Sequence, residues 1–395
     1  MITRSDQRTR STDYLNSLGA DELFDRFAIT RVSKIDGLDN IGIPVYSVSR
    51  PAAKVVSVNA GKSIFGPMAR AGAIAEGIEF ATFENPVGPW EIGTSKSVDQ
   101  DLMPTCLGAD WSRETPIAQE LVTHYASGKQ RMLPSDLVWV DRRIEVEAPQ
   151  FQMSSNGQSV GASFEDAFLQ GLCECVERDQ TVLRSLTQDT FHVWPPKIAF
   201  QSELKDKCEA AGLKMYLFYA TYDIPIPVYY SILVDPFGGC GTYGGWGCDL
   251  NPCKAAERAL LEAIQSRAVY ISGSRDDIER RDYTLLKAME PEHMIREIES
   301  LPFAGTLPDF GWEYSSLKAE LDHALDLMGP WRDKIYFKHI DLGELHAVKT
   351  IVLGLEQPRG KLFRSMRFEK MRMEWVKTLP PPESDGLEWM GDFSM

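Results

Sequence analysis

Between residues 163 and 186 apolar side chains return every three to four positions, the period of an amphipathic helix. Ser163 supplies an N-cap, with Asp166 three residues on. Gly66-Pro67 opens a second such helix to about Glu84, and a third covers about 252–272. Shorter helical patterns fall near 113–127, 203–212, 290–300 and 315–328. Strand patterns rich in Val, Ile and Tyr cover IPVYSVSR, AKVVSV, Leu137–Val140, KMYLFYATY and PVYYSILV, with two more near 335–340 and 347–353. The glycine-rich run FGGCGTYGGWG reads as a flexible connection or a lid. Helices and strand pairs mix without strict βαβ alternation, which predicts a mixed α/β (α+β) fold and no doubly wound parallel sheet. Residues 1–25 read as a flexible segment, frayed or only locally helical. No interior linker forces a cut, so one domain is expected over 26–378, followed by a proline-containing tail at 379–395 with Pro380-Pro381-Pro382.

The polar faces of the three long helices carry acids. At about 100° per residue, Gln170, Glu174 and Glu177 fall within about 60° of one another, opposite Phe168, Leu172, Val176 and Leu183. Glu76 and Glu79 are three apart on the first helix, and Arg258, Glu262 and Gln265 share a face of the last. A single helix of this kind is ordinarily a solvated surface helix. Few lysines stand near Glu174 and Glu177, however, and like charges at this spacing repel by a few tenths of a kcal/mol. Three such faces brought together would require cations. Magnesium, a hard ion that favours carboxylates with substrate phosphates, suits them, and arginines such as Arg178 or Arg267 could reach those phosphates.

Composition narrows the classes. The 395 residues are 43% hydrophobic and 25% charged, ordinary for a globular protein. A formal charge of −15 disfavours nucleic acid as a partner. No apolar run approaches the roughly 20 residues that span a bilayer, and the polar N-terminus has no apolar signal core, so a cytoplasmic protein is expected. Seven cysteines, an odd number, do not suggest a disulfide framework. Cys240, Cys248 and Cys253 lack zinc-ligand spacing, and Cys173 and Cys175 diverge on one helix.

Common nucleotide motifs fail. Asn59-Ala60-Gly61-Lys62-Ser63 ends like a P-loop, but the glycine required five residues before Gly61 is Val56. The glycine run does not have dinucleotide-loop spacing either. Four blocks instead resemble the YcaO family: RVSKIDGLDNIGIPVYSVSRP with SVNAGKS; ARAGAIAEGIEFATFE; SSNGQSVGASFEDAFLQGLCECVERD; and KAAERALLEAIQSRAVYISGSRDD. They span about 30–360 with LPSDLVWVD and VKTIVLGLE. The resemblance implies a single YcaO-type domain whose ATP site lies between acid-bearing helices. It implies metal ligation by Glu76, Glu79, Glu174, Glu177 and Glu262. ATP contacts would come from Lys62, Gly72, Gln170, Arg178, Gln265, Arg267 and Arg275. The family motif S-x3-E-x2-E-R is whole at its acids and arginine in the third block, as Gln170, Glu174, Glu177 and Arg178. In the second block Gly72 replaces its Ser and Phe80 its Arg, and Arg70 is a candidate substitute.

By resemblance, the chain uses ATP and Mg2+ to activate a backbone amide of a ribosomally made precursor peptide. A nucleophile adds to the carbonyl, the oxygen takes the γ-phosphoryl group, and phosphate departs. The product would be a thioamide, azoline or amidine. The proline run is followed by thirteen residues, unlike the terminal prolines of azoline-forming relatives, and the N-terminal half is most like stand-alone members found with TfuA-type partners. Thioamide formation is therefore favoured. A separate TfuA-like or E1-like, leader-binding partner is expected, and a homodimer is compatible with the sequence. The alternative is an ATP-binding accessory protein that supports another modifying enzyme. No general base is identifiable, and the lone His346 reads as structural.

Overall fold

The computed structural model describes residues 2–86, 91–94, 116–141, 151–185, 192–194, 199–237, 241–288, 290–306, 312–358 and 370. In chain order the elements are α1 (Arg4–Ser17), α2 (Ala20–Phe27), β1 (Arg31–Lys34), β2 (Val45–Ser49), β3 (Val58–Lys62), α3 (Gly66–Phe83), β4 (Glu91–Thr94), β5 (Pro116–His124), β6 (Gln130–Pro134), β7 (Gln158–Gly161) and α4 (Phe164–Arg184). There follow β8 (His192–Trp194), α5 (Ala199–Ala210), β9 (Lys214–Tyr219), β10 (Val228–Val234), β11 (Thr242–Cys248), α6 (Pro252–Ser272), α7 (Arg280–Ala288), α8 (Pro291–Ser300), β12 (Phe303–Thr306), α9 (Leu317–Leu327), β13 (Ile335–Asp341) and β14 (His346–Val352).

Three sheets form. One has order β1-β2-β3, one β11-β10-β9-β8-β12, and one β4-β5-β13-β14-β7 with β6 added on β5. Among the described pairings only β8 with β12 is parallel, so the fold is mixed α/β, as expected. Helix α3 packs on β3 and β7, α4 on β7 and β14, and α6 on β10 and β11. No helix among the described residues is long and apolar enough to cross a membrane.

Several elements differ from the sequence expectation. The pattern near 113–127 is strand β5 over its described part. Ile117 and Val122 are buried, and the strand pairs with β4, β6 and β13, so pairing on both edges overrides a weak helical period. Leu137–Val140 is a buried turn, with the Val138 and Trp139 amides both donating to the Ser135 carbonyl. Only Val58 of AKVVSV lies in a strand.

Most of the glycine-rich run is strand rather than a lid. Gly245 and Gly247 face α6, where an added Cβ would strike the backbone of Ala259 and Ala255 respectively. These glycines let a helix lie directly on the strand. The tail at 379–395, with its prolines, lies outside the described residues.

The N-terminal segment is helical and anchored. Thr3 and Asp6 form a capping box at the start of α1, and the Arg4 side chain is only 2% exposed. Its guanidinium meets Asp249 at 3.2 Å and Glu320 at 3.1 Å. A polar, weakly amphipathic helix held by a buried ion cluster gives no hydrophobic period to read. At its other end Asn16 donates to the Pro67 carbonyl and accepts from Arg70, which ties α1 to the start of α3. Arg70, the candidate substitute for an arginine at position 80, thus donates to Asn16 at the start of α3.

Candidate functional site

Strand β3 and helix α3 approach each other closely. A Cβ on Gly61 would meet the backbone of Ala69, Gly72 and Ala73. This proximity lets the Ala60 amide donate to Glu76 Oε2 at 2.9 Å. One turn on, Glu79 Oε1 accepts from the Val160 amide of β7 at 2.9 Å. Both second-block acids are thus pinned by backbone N–H groups of neighbouring strands.

The other acids come from α4 and α6. Arg178 lies 3.8 Å from both Glu174 and Glu177. Lys62, at the end of β3, reaches Glu262 of α6 at 3.1 Å. The five carboxylates are close enough to influence one another. Burial, then Glu174 and Glu76, push the Glu79 carboxyl far up. Burial raises Glu174 to about 7 against the pull of Arg178, with Glu177 and Glu262 adding to the rise. Glu76 and Glu177 are raised chiefly by burial. At Glu262 burial is outweighed by Lys62 and Arg178, so its carboxyl is held below the ordinary range.

Glu262 is also part of a stitch along the edge of the five-stranded sheet. Arg258 donates to the Cys248 carbonyl, the Trp246 amide donates to Glu262, and Ser266 donates to the Gly244 carbonyl. Steps of four along the helix, about 6 Å, match steps of two along β11, about 6.7 Å. The outer edge of β11 is thereby covered by α6 side chains.

Lys62, Glu76, Glu79, Glu174, Glu177, Arg178 and Glu262 therefore converge. Gln170 is half-buried on the same stripe of α4, and Gln265 is half-buried on α6 with its Oε1 buried and unpartnered. Arg275 pairs with Asp277 and exerts a favourable field on Glu76. Gly72 is exposed on α3 above the acids.

Arg267 is the exception. It lies about 140° around α6 from Glu262, buried between Asp39 at 3.1 Å and Asp235 at 3.3 Å. Its structural ion pairs, rather than phosphate contact, account for its place. His346 pairs with His339 across the β13–β14 hairpin, ring nitrogens 3.0 Å apart. Sequence reasoning missed Lys349, a lysine inside the apolar strand VKTIVLGLE, which is fully buried behind Glu174. That charge amid β-branched residues was the available signal.

These residues fit Mg2+ and a nucleotide. The acids are all-oxygen, hard donors, and the raised protonation of Glu76, Glu79, Glu174 and Glu177 marks an unmet demand for positive charge. The described residues contain no ready-made cage of three or more metal-binding side chains. Mg2+ commonly uses one or two carboxylates together with substrate phosphates, which suits an open cluster flanked by Lys62 and Arg178.

A family profile described as YcaO cyclodehydratase, ATP- and Mg2+-binding, matches residues 60–356. A protein in the tfuA 3' region of Rhizobium leguminosarum bv. trifolii is 33% identical over 282 residues, 66% of each chain. A Mycobacterium tuberculosis protein is 29% identical over 262 residues, 63% of this chain and 59% of its own length. The chain thus spans about two thirds or less of these two relatives. Among solved structures, YcaO from Methanopyrus kandleri bound with AMPPCP and Mg2+ aligns with a TM-score of 0.66 at 20% identity, over 88% of this chain and 91% of its own. A heterocyclase in complex with substrate and cofactor aligns with a TM-score of 0.70 at 15% identity, over 95% of this chain and 56% of its own. With the acid helices in place and the profile covering most of its length, the chain belongs to the YcaO family, whose members bind ATP and Mg2+.

Proposed function

We propose that this protein uses ATP and Mg2+ to O-phosphorylate a backbone amide of a precursor peptide, and that a thioamide is the favoured product over an azoline. The convergence of five carboxylates from α3, α4 and α6 beside Lys62 and Arg178 carries the reading. Glu76, Glu79, Glu174, Glu177 and Glu262 would hold the metal. Lys62, Arg178, Gln170, Gln265 and Arg275, with the exposed backbone at Gly72, would face the nucleotide. An amide oxygen is a poor leaving group. A nucleophile adds to the carbonyl carbon, and the resulting oxyanion takes the γ-phosphoryl group while ADP leaves. Expulsion of phosphate then completes the replacement of oxygen. Positioning and neutralisation of phosphoryl charge supply most of the acceleration.

External sulfide as nucleophile gives the thioamide, and a neighbouring Cys, Ser or Thr side chain gives the azoline. The relative from the tfuA 3' region supports a TfuA-like partner. The solved microcin synthetase complex with pro-MccB17 bound supports a peptide substrate with separate partner subunits. A cytoplasmic setting, where ATP is available, agrees with this chemistry.

Peptide-dependent phosphate release tests the proposal. The purified chain with its partner and precursor should release phosphate only when Mg2+, ATP and peptide are all present. Glu174→Ala should lower that rate at least about 100-fold, the scale expected for removing transition-state charge stabilisation. Nucleotide binding without peptide-stimulated phosphate release would favour the accessory role instead. Unchanged affinity and turnover in Glu174→Ala would displace the site.

A further inference from the structure

Beside Cys175 lies a small pocket, with about 30 Å3 open to the centre of a water-sized group, lined in part by Gln152, Ser154, Asn156, Cys175, Lys349 and Gln357. Lys349 stands on β14, between β13 and β7 in the largest sheet, and is only 2% exposed. Its Nζ donates to the Ser154 carbonyl at 2.6 Å. No carboxylate among the described residues lies within ion-pair distance of it. A buried ammonium with one backbone acceptor has two N–H groups to spare and carries a large desolvation cost. Burial pushes it down to about 8, although Cys175 and Glu174 pull the other way.

The neighbours have unused capacity of the opposite kind. Gln152 Oε1 and Asn156 Oδ1 are buried without a hydrogen-bond partner. Gln158 pairs with Lys349 across the β14–β7 ladder, so the two side chains share a face. It too is 2% exposed, and neither its Oε1 nor its Nε2 is partnered. Buried polar atoms are satisfied in all but a few cases, so this concentration around one lysine calls for a ligand. A carboxylate would satisfy Lys349 and leave the carbonyl oxygens orphaned. A simple cation would do the reverse. Water and an amide each offer both an acceptor and a donor, and of the two only the amide belongs to a peptide substrate.

We infer that the Lys349 pocket is a subsite for an amide group of the peptide substrate, its carbonyl accepting from Lys349 and its N–H donating to Gln152 or Asn156. The inference rests on the peptide reading above and deepens it. Along the same face of β7, two residues beyond Gln158, Val160 holds Glu79 through its amide. An amide in the pocket would thus lie beside the strand whose backbone holds Glu79, within the field of Glu174. The chemistry is shared by a peptide backbone and by an Asn or Gln side chain.

Saturation-transfer NMR on the full chain, with AMPPCP and Mg2+ present, separates these sources. N-methylacetamide represents the backbone and acetamide the side chain. Signal from N-methylacetamide that is lost in Lys349→Met and reduced several-fold in Gln152→Leu, but kept in His339→Ala, supports a backbone subsite. The same pattern for acetamide alone assigns it to a side-chain amide. Absence of signal from both probes, or equal signal in Lys349→Met, overturns the inference. Lys349→Met conserves volume and removes a buried charge, so it should fold, and its melting temperature shows whether it has. AMPPCP binding is measured in the same samples. Its failure with amide binding intact would remove the ATP reading and leave the pocket, whereas the reverse outcome would remove only the pocket.

Discussion

Two clusters of buried charge lie at successive points along one face of α4, and they are built on opposite principles. At the N-terminal end Arg4 contacts Asp249, Glu320 and, at 3.9 Å, Asp166, while Arg8 approaches Asp249 at 3.5 Å. There cations answer the acids. Burial opposes ionisation of Asp249, yet Arg4, Arg8 and Arg258 together hold its carboxyl far below the ordinary range. Two to three turns further along α4, Glu76, Glu79, Glu174 and Glu177 are all raised, and Arg178 is shared by two of them. A cluster complete in itself serves the fold. One that is short of positive charge stores a demand that a ligand can meet.

The comparison breaks most visibly at Arg4. Arg4→Met removes the cation that contacts both Asp249 and Glu320 and leaves Arg8, Arg258 and Lys254 to answer Asp249, and removal of one partner from such a cluster costs about 3–5 kcal/mol. Denaturant unfolding should show that loss as a lower midpoint with unchanged slope. Glu174→Gln, by contrast, should leave the nucleotide-free protein as stable as before or more so. Equal destabilisation by the two substitutions would erase the distinction between the clusters.

Backbone approach at the site tolerates less change than its charge. Gly61→Ala places a methyl group against the backbone of Ala69 and Ala73, where no flexible side chain can yield. Overpacking of this kind costs about 1–3 kcal/mol. It should also move α3 relative to β3 and weaken ATP binding together with stability. Calorimetry of the variant with and without AMPPCP and Mg2+ checks both effects.

The clusters also respond oppositely to pH. Glu174 titrates near 7 in the folded chain and near 4.5 when unfolded. Between those values the folded state keeps a proton that the unfolded state has released, so this group makes stability fall as pH rises from about 4.5 to about 7. Asp249 has a folded value below its unfolded one of 3.8, so its contribution is present above 3.8 and lost as pH falls below it. Melting temperatures from pH 4 to 8 should decline less in Glu174→Gln than in the parent, and AMPPCP with Mg2+ should narrow that gap. Parallel curves would show that Glu174 does not titrate as described.

The two regions were not equally legible in the sequence. Helices α3, α4 and α6 pair an acid stripe with an apolar one, so their period and their chemistry could both be read. The Arg4 cluster could not be, because residues 166, 249 and 320 meet Arg4 only through tertiary packing. A polar N-terminal helix held by such contacts gives no periodic signal. Arg267 shows the converse. Motif spacing put it with the nucleotide, but rotation about α6 turns it to Asp39 and Asp235. The glycines of β11 read as freedom, whereas Gly245 and Gly247 are there for close contact with α6.

The smallest expected effect sharpens the question of the altered motif in α3. The resemblance puts Gly72 where the family motif has Ser, and Phe80 where it has Arg. A Cβ at position 72 meets only Gly61 Cα, at 3.7 Å, which is ordinary contact. Gly72→Ser should therefore fit and, by replacing a helical glycine, stabilise the chain by about 0.5 kcal/mol or less. Its hydroxyl would lie one turn before Glu76 on the exposed side of α3, above the acids. The KM for ATP should fall a few-fold in Gly72→Ser with kcat little changed, because a ground-state contact is being added. A lower kcat with unchanged KM would mean that glycine is required here for a closer approach of the nucleotide to the backbone. Gly72 would then be an adaptation of this site rather than a lost contact.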